Sequence, residues 1–426
     1  IENSYESRLH GDSGFRHIVT NARGRRVPAE SRDLQETLPA DEQPTPGYNV
    51  FLSIDLDLQA LATEQLEGRR GAVVALDPWS GEILALVSAP SFDPNPFAVG
   101  MSQSQFSALQ EDMDRPLFNR AVRGTYPPGS TIKPMLALAA LETGATNLER
   151  RTVCYGFFML PNTTHRYRDW KPEGHGEVDI HDAIAQSCDV YFYEISNEIG
   201  IDRMHDYLTR FGLGNQTGID VAGERPGLVP STEWKRKAFR NPSDQRWFLG
   251  ETVIASIGQG YMLATPLQLA TATAALATRG VRYEPRIVAA WEDPLGGERT
   301  LASPVRLDDV ELDDDTNWDT VIGAMNSVMQ GPRGTARAVG SSAAYRVAGK
   351  RGTAQVFSVA QDEEYDEEEI EERLKDHALF IAFAPVENPQ IAVAVIVENG
   401  SSGSGVAAPI AKAMIDKYLG YDDAAD

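Results

Sequence analysis

The chain has 426 residues, of which 42% are hydrophobic, enough for one large domain or for a large domain with a small one. Its 39 basic and 62 acidic residues give a formal net charge of −23, which disfavours nucleic acid and anionic lipid as direct partners. No run of about 18 or more apolar residues occurs, so the sequence predicts no membrane-spanning helix.

The first 45 residues differ in composition from the rest of the chain. They are polar and rich in Arg, Glu, Ser and Gly, and a Pro- and Gly-rich stretch follows at 44–47. This composition predicts the tail of another module followed by a linker, with a floppy terminus as the alternative. The alternation at 15–19 predicts a strand within this segment.

From residue 48 onward the sequence predicts a core of strands and helices. Apolar runs separated by turn residues predict two hairpins, one from strands at 71–76 and 83–87 and one from strands at 379–384 and 391–396. Further predictions are a strand at 51–54 and helices at 57–65, 134–143 and 266–278. A sheet built from both chain ends with helices between them indicates an α+β fold. An acidic run at 362–372 predicts a solvated loop or helix face.

The first motif with catalytic potential is Ser130-Thr131-Ile132-Lys133, which follows Gly129 and two prolines. We expect a tight turn and then a helix from about Ser130, with Ser130 and Lys133 on one helical face. A serine hydroxyl is too weakly acidic to attack an amide unaided, and a neighbouring lysine can take its proton. Taken alone, this spacing is also common in surface pairs and helix caps.

Two later motifs supply the remaining groups that such a serine needs. Ser187-Cys188-Asp189 places a hydroxyl that can relay a proton, although a helix-capping serine is the alternative. The segment 349–356 predicts a strand that carries Lys350, Gly352 and Thr353. The backbone N–H groups of Thr353 and Ser130 would then form an oxyanion hole, worth about 2.7–4 kcal/mol per donor.

The three motifs in this order resemble those of the class B penicillin-binding proteins, and among them the elongation-specific penicillin-binding protein 2 group. Blocks at 168–171, 174–176, 257–261 and 352–356 share the resemblance, which covers nearly the whole chain. It implies a penicillin-binding serine transpeptidase fold at 46–426, with an antiparallel sheet flanked by helices and an all-helical subdomain. It also implies that 1–45 are the remnant of an N-terminal pedestal domain and linker.

The resemblance further implies a serine D,D-transpeptidase that cross-links peptidoglycan stem peptides during cell elongation. Ser130 would be acylated, by a stem peptide ending in D-Ala-D-Ala or by β-lactam antibiotics, and Lys133 would be its base. The residues that the resemblance assigns to the rest of the catalytic site are Ser187, Asp189, Lys350, Gly352 and Thr353. The acyl transfer itself would need no cofactor.

Two residues depart from the pattern of the family. Asp189 stands where Asn is usual, and Arg351 stands where a hydroxyl normally binds the carboxylate of the substrate or drug. Because Arg pairs well with carboxylates, we expect Arg351 to take over that contact, with Thr353 and Gln355 as further substrate-binding residues. The alternative is that the bulk of Arg351 impairs the enzyme.

Between the first two motifs lie Cys154, Asp169, His175 and Cys188. Two thiolates, one imidazole and one carboxylate suit a closed tetrahedral site of the structural zinc type. The spacing is not that of a standard zinc finger, so a Cys154–Cys188 disulfide and an ordinary surface histidine remain open. The resemblance implies a structural Zn²⁺ at these four positions, which would tie the loop after the Ser130 helix to the Ser187 loop.

The resemblance also implies a location and partners. We expect the periplasmic domain of a single-pass inner-membrane protein whose anchor lies outside this sequence, working with a membrane glycosyltransferase and elongation-complex proteins. The alternative functions are a β-lactam sensor domain, a D,D-carboxypeptidase, a class D type β-lactamase and an inactive scaffold. Labelling of Ser130 by penicillin and product analysis with and without an acceptor amine would separate them.

Overall fold

The computed structural model describes residues 1–27, 40–356 and 370–421. The chain divides into two compact units: the smaller comprises Ile1–Ser53, Asp220–Ala222 and Val288–Ser303, and the larger comprises the remaining segments. The acidic run at 362–372 lies outside the described residues except for its last three positions. Within these described ranges, no helix combines the length and apolar character needed to cross a bilayer.

The secondary structure alternates between helices and strands along most of the chain. The helices are α1 (Glu2–Leu9), α2 (Leu56–Gln65), α3 (Asn95–Val99), α4 (Gln103–Glu111), α5 (Arg120–Arg123), α6 (Lys133–Glu142), α7 (Ile180–Ala185), α8 (Asp189–Ile199), α9 (Ile201–Arg210), α10 (Thr232–Ala238), α11 (Leu249–Ala255), α12 (Pro266–Ala277), α13 (Thr316–Gln330), α14 (Arg337–Gly340) and α15 (Ala408–Leu419). The strands are β1 (Asn49–Leu52), β2 (Gly71–Leu76), β3 (Ile83–Ala89), β4 (Thr152–Cys154), β5 (Phe157–Phe158), β6 (Tyr167–Arg168), β7 (Gly176–Val178), β8 (Val288–Glu292), β9 (Arg299–Leu301), β10 (Ala348–Ala354), β11 (His377–Ala384) and β12 (Ile391–Val397).

The smaller unit contains helix α1 and a three-stranded antiparallel sheet in the order β1-β8-β9. Tyr5 of α1 packs edge-on against Trp291 of β8, with ring centroids 5.1 Å apart. The prediction of a strand at 15–19 is wrong, because a single isolated bridge, between Phe15 and Glu42, forms there. Phe15 and Ile18 are 63% and 50% exposed, so the alternation of residue types did not reflect a buried face.

The larger unit is built around a five-stranded antiparallel sheet in the order β10-β11-β12-β2-β3. Both predicted hairpins are confirmed, and β12 pairs with β2 to join them into one sheet. Every residue of β2 and β12 is buried, and since side chains alternate between faces, both faces of these strands are covered. Helices α2, α12, α13 and α15 pack against the strands.

A group of helices in the larger unit packs around α6. Helix α6 contacts α7, α8, α9 and α13, and α8 also contacts α11. The first eight residues of α6 are buried, so this helix is surrounded on all sides and its lysine, Lys133, lies inside the unit. The predicted α+β fold, an antiparallel sheet flanked by helices with a helical part beside it, is confirmed.

Candidate active site

The turn that carries Ser130 is held close to strand β10. It begins with a single 3₁₀ turn, Gly129–Ile132, and α6 follows from Lys133. Gly129 has φ +57°, and a Cβ at this position would lie 2.6 Å from the carbonyl oxygen of Thr353. Only glycine permits both the conformation and the approach, and its N–H donates to the carbonyl of Gly258 at 3.0 Å. The backbone at Ser130 is thereby placed beside β10.

Lys133 is fully buried, and the second motif surrounds its ammonium group. Its Nζ donates to Asp189 Oδ1 at 2.6 Å, to the Ser187 carbonyl at 2.9 Å and to Ser187 Oγ at 3.4 Å. The helical spacing predicted a contact with the Ser130 hydroxyl, yet all three hydrogen bonds described for this amine go to the second motif. A buried ammonium requires a compensating charge, and Asp189 supplies it.

The hydroxyl of Ser187 lies between two lysines. It accepts from Lys350 Nζ at 2.8 Å as well as from Lys133, and Ser187 itself has the left-handed backbone φ of +60°. Lys350 is fully buried, and in the described part of the chain no carboxylate lies within ion-pair distance of it. Burial, reinforced by the positive charges of Lys133 and Arg351, lowers the pKa of Lys350 well below its usual value. Lys350 is therefore the amine that gives up its proton more easily than an ordinary lysine.

Strand β10 is an edge strand and carries the third motif. A Cβ at Gly352 would lie 2.8 Å from the Pro128 carbonyl, so glycine is required for the strand to approach the Ser130 turn. Thr353 is half-buried, and its carbonyl accepts from Gln259 Nε2 at 2.8 Å. Gln355 is exposed and follows the last residue of β10. Sequence reasoning missed Gln259, although it lies in a block at 257–261 that carried the resemblance.

Arg351 lies on the same strand and is half-buried. Its guanidinium carbon is 4.3 Å from the ring centroid of Trp170. Burial lowers the pKa of Arg351, while the carboxylates of Asp189 and Asp169 oppose this shift. Trp170 lies in the block at 168–171, and its contact with the third motif could not be predicted from the sequence.

The four predicted metal ligands converge on one point. Cys154 Sγ lies 3.4 Å from Asp169 Oδ2 and 3.6 Å from His175 Nδ1, and the last two residues approach to 3.5 Å. Including Cys188, all four ligand atoms lie within 4.8 Å of one another. Zinc bonds of about 2.0–2.3 Å in a tetrahedron separate neighbouring donors by roughly 3.3–3.8 Å, so the donor set and spacing fit this ion. Both cysteines are buried, and no disulfide joins them in this structure.

The groups of this cluster shift one another's pKa values. A hydrogen bond with Cys188 is the largest influence on Cys154 and, with one from His175, lowers the pKa of Cys154 to about 5. Burial alone would lower the pKa of His175, but hydrogen bonds with Asp169 and Cys154 raise it to about 9. The cluster therefore holds a thiolate, a carboxylate and an imidazolium close together in a buried space.

A second charged network, also missed from the sequence, fixes the segment that leads into Ser130. The hydroxyl of Tyr126 donates to Glu398 Oε1 at 2.7 Å, and Arg120 Nε donates to the same oxygen at 2.9 Å. Arg70 Nε lies 3.7 Å from the other carboxylate oxygen. Tyr126 and Arg120 are buried, and both bind the Glu398 carboxylate. The segment that leads into the Ser130 turn is thereby connected to the residue that follows β12.

Sequence comparisons agree with the geometry of the site. The family model for the penicillin binding protein transpeptidase domain matches residues 71–416. Peptidoglycan D,D-transpeptidase MrdA of Acinetobacter baumannii is 43% identical over 419 residues, which cover 98% of this chain and 60% of the relative. The chain thus spans less than two thirds of the length of that relative.

Solved structures give the same result. Pseudomonas aeruginosa penicillin-binding protein 2 in complex with WCK 5153 is 47% identical, with a TM-score of 0.79 over 89% of this chain and 77% of that one. Helicobacter pylori penicillin-binding protein 2, in a complex with MreC, is 30% identical with a TM-score of 0.83, over 99% and 72%. The resemblance drawn from the three motifs is confirmed, and the chain belongs to the penicillin-binding protein transpeptidase family.

Proposed function

We propose that this chain is the serine D,D-transpeptidase part of an enzyme that cross-links peptidoglycan stem peptides during cell elongation and the maintenance of rod shape. The observation that carries the proposal is the single buried hydrogen-bond cluster of Lys133, Ser187, Asp189 and Lys350 beside the Ser130 turn. The identity with a D,D-transpeptidase relative supports the same activity.

In the proposed reaction, Ser130 Oγ attacks the carbonyl carbon of the D-Ala-D-Ala bond of the donor peptide. The new C–O bond forms, the C–N bond breaks, and the proton of Ser130 reaches the leaving amine. In the form that reacts, Lys133 is uncharged and acts as the base, and Ser187, which contacts both lysines, relays the proton. An acceptor amine then attacks the ester, and the proton that it loses returns to Ser130. The same serine attacks β-lactams, which remain attached.

The groups around the scissile carbonyl follow from the close packing of the Ser130 turn and β10. The N–H groups of Ser130 and Thr353 form the proposed oxyanion hole, each donor being worth about 2.7–4 kcal/mol. Gly352 lets β10 approach the Ser130 turn, and Thr353 and Gln355 contact the bound substrate. Arg351 takes the substrate carboxylate in place of the usual hydroxyl.

We also propose that Cys154, Asp169, His175 and Cys188 hold a structural Zn²⁺, for which the donor distances are the support. When bound, the ion would supply positive charge to the thiolates and carboxylate and cross-link their loops, without a part in acyl transfer. Metal analysis should give one zinc per chain. Protein without zinc and without free thiols would instead establish the disulfide.

The setting of the enzyme is likewise a proposal. Residues 1–45 would be the remnant of an N-terminal pedestal domain and linker, and the protein a periplasmic domain anchored by one span in the inner membrane. Its partners would be a membrane glycosyltransferase and elongation-complex proteins. The complex of the Helicobacter pylori relative with MreC supports partners of this kind.

The deciding experiment is mass spectrometry of the protein after penicillin treatment, with peptide mapping of the adduct. We expect one acyl group on Ser130 and none in Ser130→Ala. Incubation with a pentapeptide donor and an acceptor amine should then give cross-linked product. Release of D-Ala to water alone would indicate a carboxypeptidase, rapid penicillin turnover a β-lactamase, and a stable adduct with no peptide product a sensor domain.

A further inference from the structure

The guanidinium group of Arg351 forms no ion pair in the described part of the chain. In those ranges no carboxylate lies within 4.0 Å of its nitrogen atoms and no hydrogen bond is described for them, while the charges of Asp189 and Asp169 act on it from farther away. Its flat face is occupied instead, by the indole of Trp170 at 4.3 Å. A half-buried cation with one face packed and no hydrogen bond described for its N–H groups is suited to a planar anion such as a carboxylate.

Trp170 is fixed by the second motif and not by the strand that carries Arg351. Its backbone N–H donates to Asp189 Oδ2 at 3.0 Å, and its indole N–H donates to the Gln186 carbonyl at 3.1 Å. The ring of His175 lies 5.6 Å from the indole ring. These contacts hold the indole in one place relative to the loop that contains Ser187.

The contact between Trp170 and Arg351 therefore joins the second motif to the third. An arginine side chain has many rotamers, and ordering it costs free energy. A stack that forms before the ligand binds orders the side chain in advance, so ligand binding does not carry that cost. We propose that Trp170 is a positioning residue that holds the Arg351 guanidinium ready for the carboxylate of an acyl donor. This inference rests on the proposed acylation of Ser130.

The test compares benzylpenicillin with its neutral methyl ester. For each, the second-order rate constant of Ser130 acylation is measured, and the acid-to-ester ratio isolates recognition of the carboxylate. Loss of a cation–π contact should lower this ratio by about 2- to 30-fold in Trp170→Leu. Trp170→Phe, which keeps an aromatic face, should have an acid-to-ester ratio closer to that of the wild type. Arg351→Gln should lower the ratio at least as far, and the Trp170→Leu/Arg351→Gln double variant should lower it no further than Arg351→Gln.

A matched control is available in Tyr207→Leu, because Arg210 also lies 4.3 Å from the centroid of that ring. The ratio of this variant should equal that of the wild type. Arg351→Lys retains the charge but not the planar face, so its acid-to-ester ratio should also fall. If Trp170→Leu does not fold, the ratio of Arg351→Lys tests the stack instead. Thermal unfolding and metal content are recorded for every variant.

Three results would overturn the inference: an unchanged ratio in Trp170→Leu or Arg351→Lys, an additive loss in the double variant, or faster acylation by both compounds once the stack is removed. The last would mean that the stack obstructs the cleft. Failure of the proposed function is a separate result, namely that the wild-type protein acquires no acyl group on Ser130.

Discussion

Replacing Asp189 with alanine removes the carboxylate that faces the buried ammonium of Lys133. The two atoms are 2.6 Å apart, and the side chains are 0% and 9% exposed for Lys133 and Asp189 respectively. Breaking a buried ion pair from one side costs about 3–5 kcal/mol, because the remaining charge has neither water nor a partner. We expect Asp189→Ala to lower the free energy of unfolding by this amount.

Asparagine at the same position should have a smaller effect. Its amide oxygen can still accept from Lys133, but its NH₂ group would face the N–H of Trp170, which now donates to Asp189 Oδ2 at 3.0 Å. Loss of the charge from these hydrogen bonds should cost roughly 1–3 kcal/mol. Asp189→Asn should therefore retain penicillin labelling of Ser130 better than Asp189→Ala.

Urea-induced unfolding followed by tryptophan fluorescence measures both changes. The control is Glu233→Ala, because the Glu233–Lys237 pair has the same N···O distance of 2.6 Å but is 63% and 71% exposed. An exposed pair of this kind contributes little, so no measurable change is expected. If Asp189→Ala unfolds at the same urea concentration as this control, the argument from burial is refuted.

Three further substitutions test other parts of the larger unit. Burial lowers the pKa of His377, whose Nδ1 accepts from the Asn399 N–H at 3.0 Å. In the unfolded chain this histidine binds a proton near pH 6.5, whereas in the folded chain it does so only at lower pH. The free energy of unfolding should therefore fall as the pH drops below about 6.5. Urea unfolding from pH 7.5 to 5 should show this fall, and an equally steep fall in His377→Asn would contradict it. Tyr126→Phe removes the 2.7 Å hydrogen bond to Glu398 and should destabilise the chain by about 1.5–3 kcal/mol in urea, whereas wild-type stability would mean that the network is redundant. Gly352→Ala should cost about 1–3 kcal/mol by crowding the Ser130 turn and slow labelling by fluorescent penicillin, and normal labelling would show that the turn can yield.

The central sheet could be predicted from the sequence because each of its hairpins is recognisable from consecutive residues. Strands β2, β11 and β12 are continuous apolar runs, and such runs occur where both faces of a strand are covered. Short turn segments between the runs then fixed the pairing within each hairpin. The pairing of β12 with β2 joins segments more than 300 residues apart, and it followed only from the expectation of one shared sheet.

Two segments of the smaller unit could not be predicted, because their local signal is weak or misleading. Helix α1 has no buried residue among its eight, so no apolar face reveals it in the sequence. The alternating residues at 15–19 resemble a strand, yet the large apolar side chains there are exposed. In both segments the conformation depends on contacts with residues distant in the sequence, which the local pattern of residue types does not reveal.

Within the site, the residue types were predictable and their partners were not. The spacing of Ser130 and Lys133 suggested a local contact, but the amine bonds to residues 54 and 56 positions later. Gln259 reaches the Thr353 carbonyl across 94 positions. Such contacts depend on how the elements pack, and a buried charge selects its partner from whatever the fold brings within reach.

Asp169 connects the proposed metal site to the residues proposed for proton transfer. Its Oδ2 atom contacts Cys154 Sγ and also accepts from the N–H groups of Asp189 and Val190, at 2.8 and 3.2 Å, in the first turn of α8. A carboxylate at this end of a helix is stabilised by the unpaired N–H groups there. The same turn presents the Asp189 side chain to Lys133. A change in the charge or position of Asp169 would therefore act on Lys133 through one turn of helix.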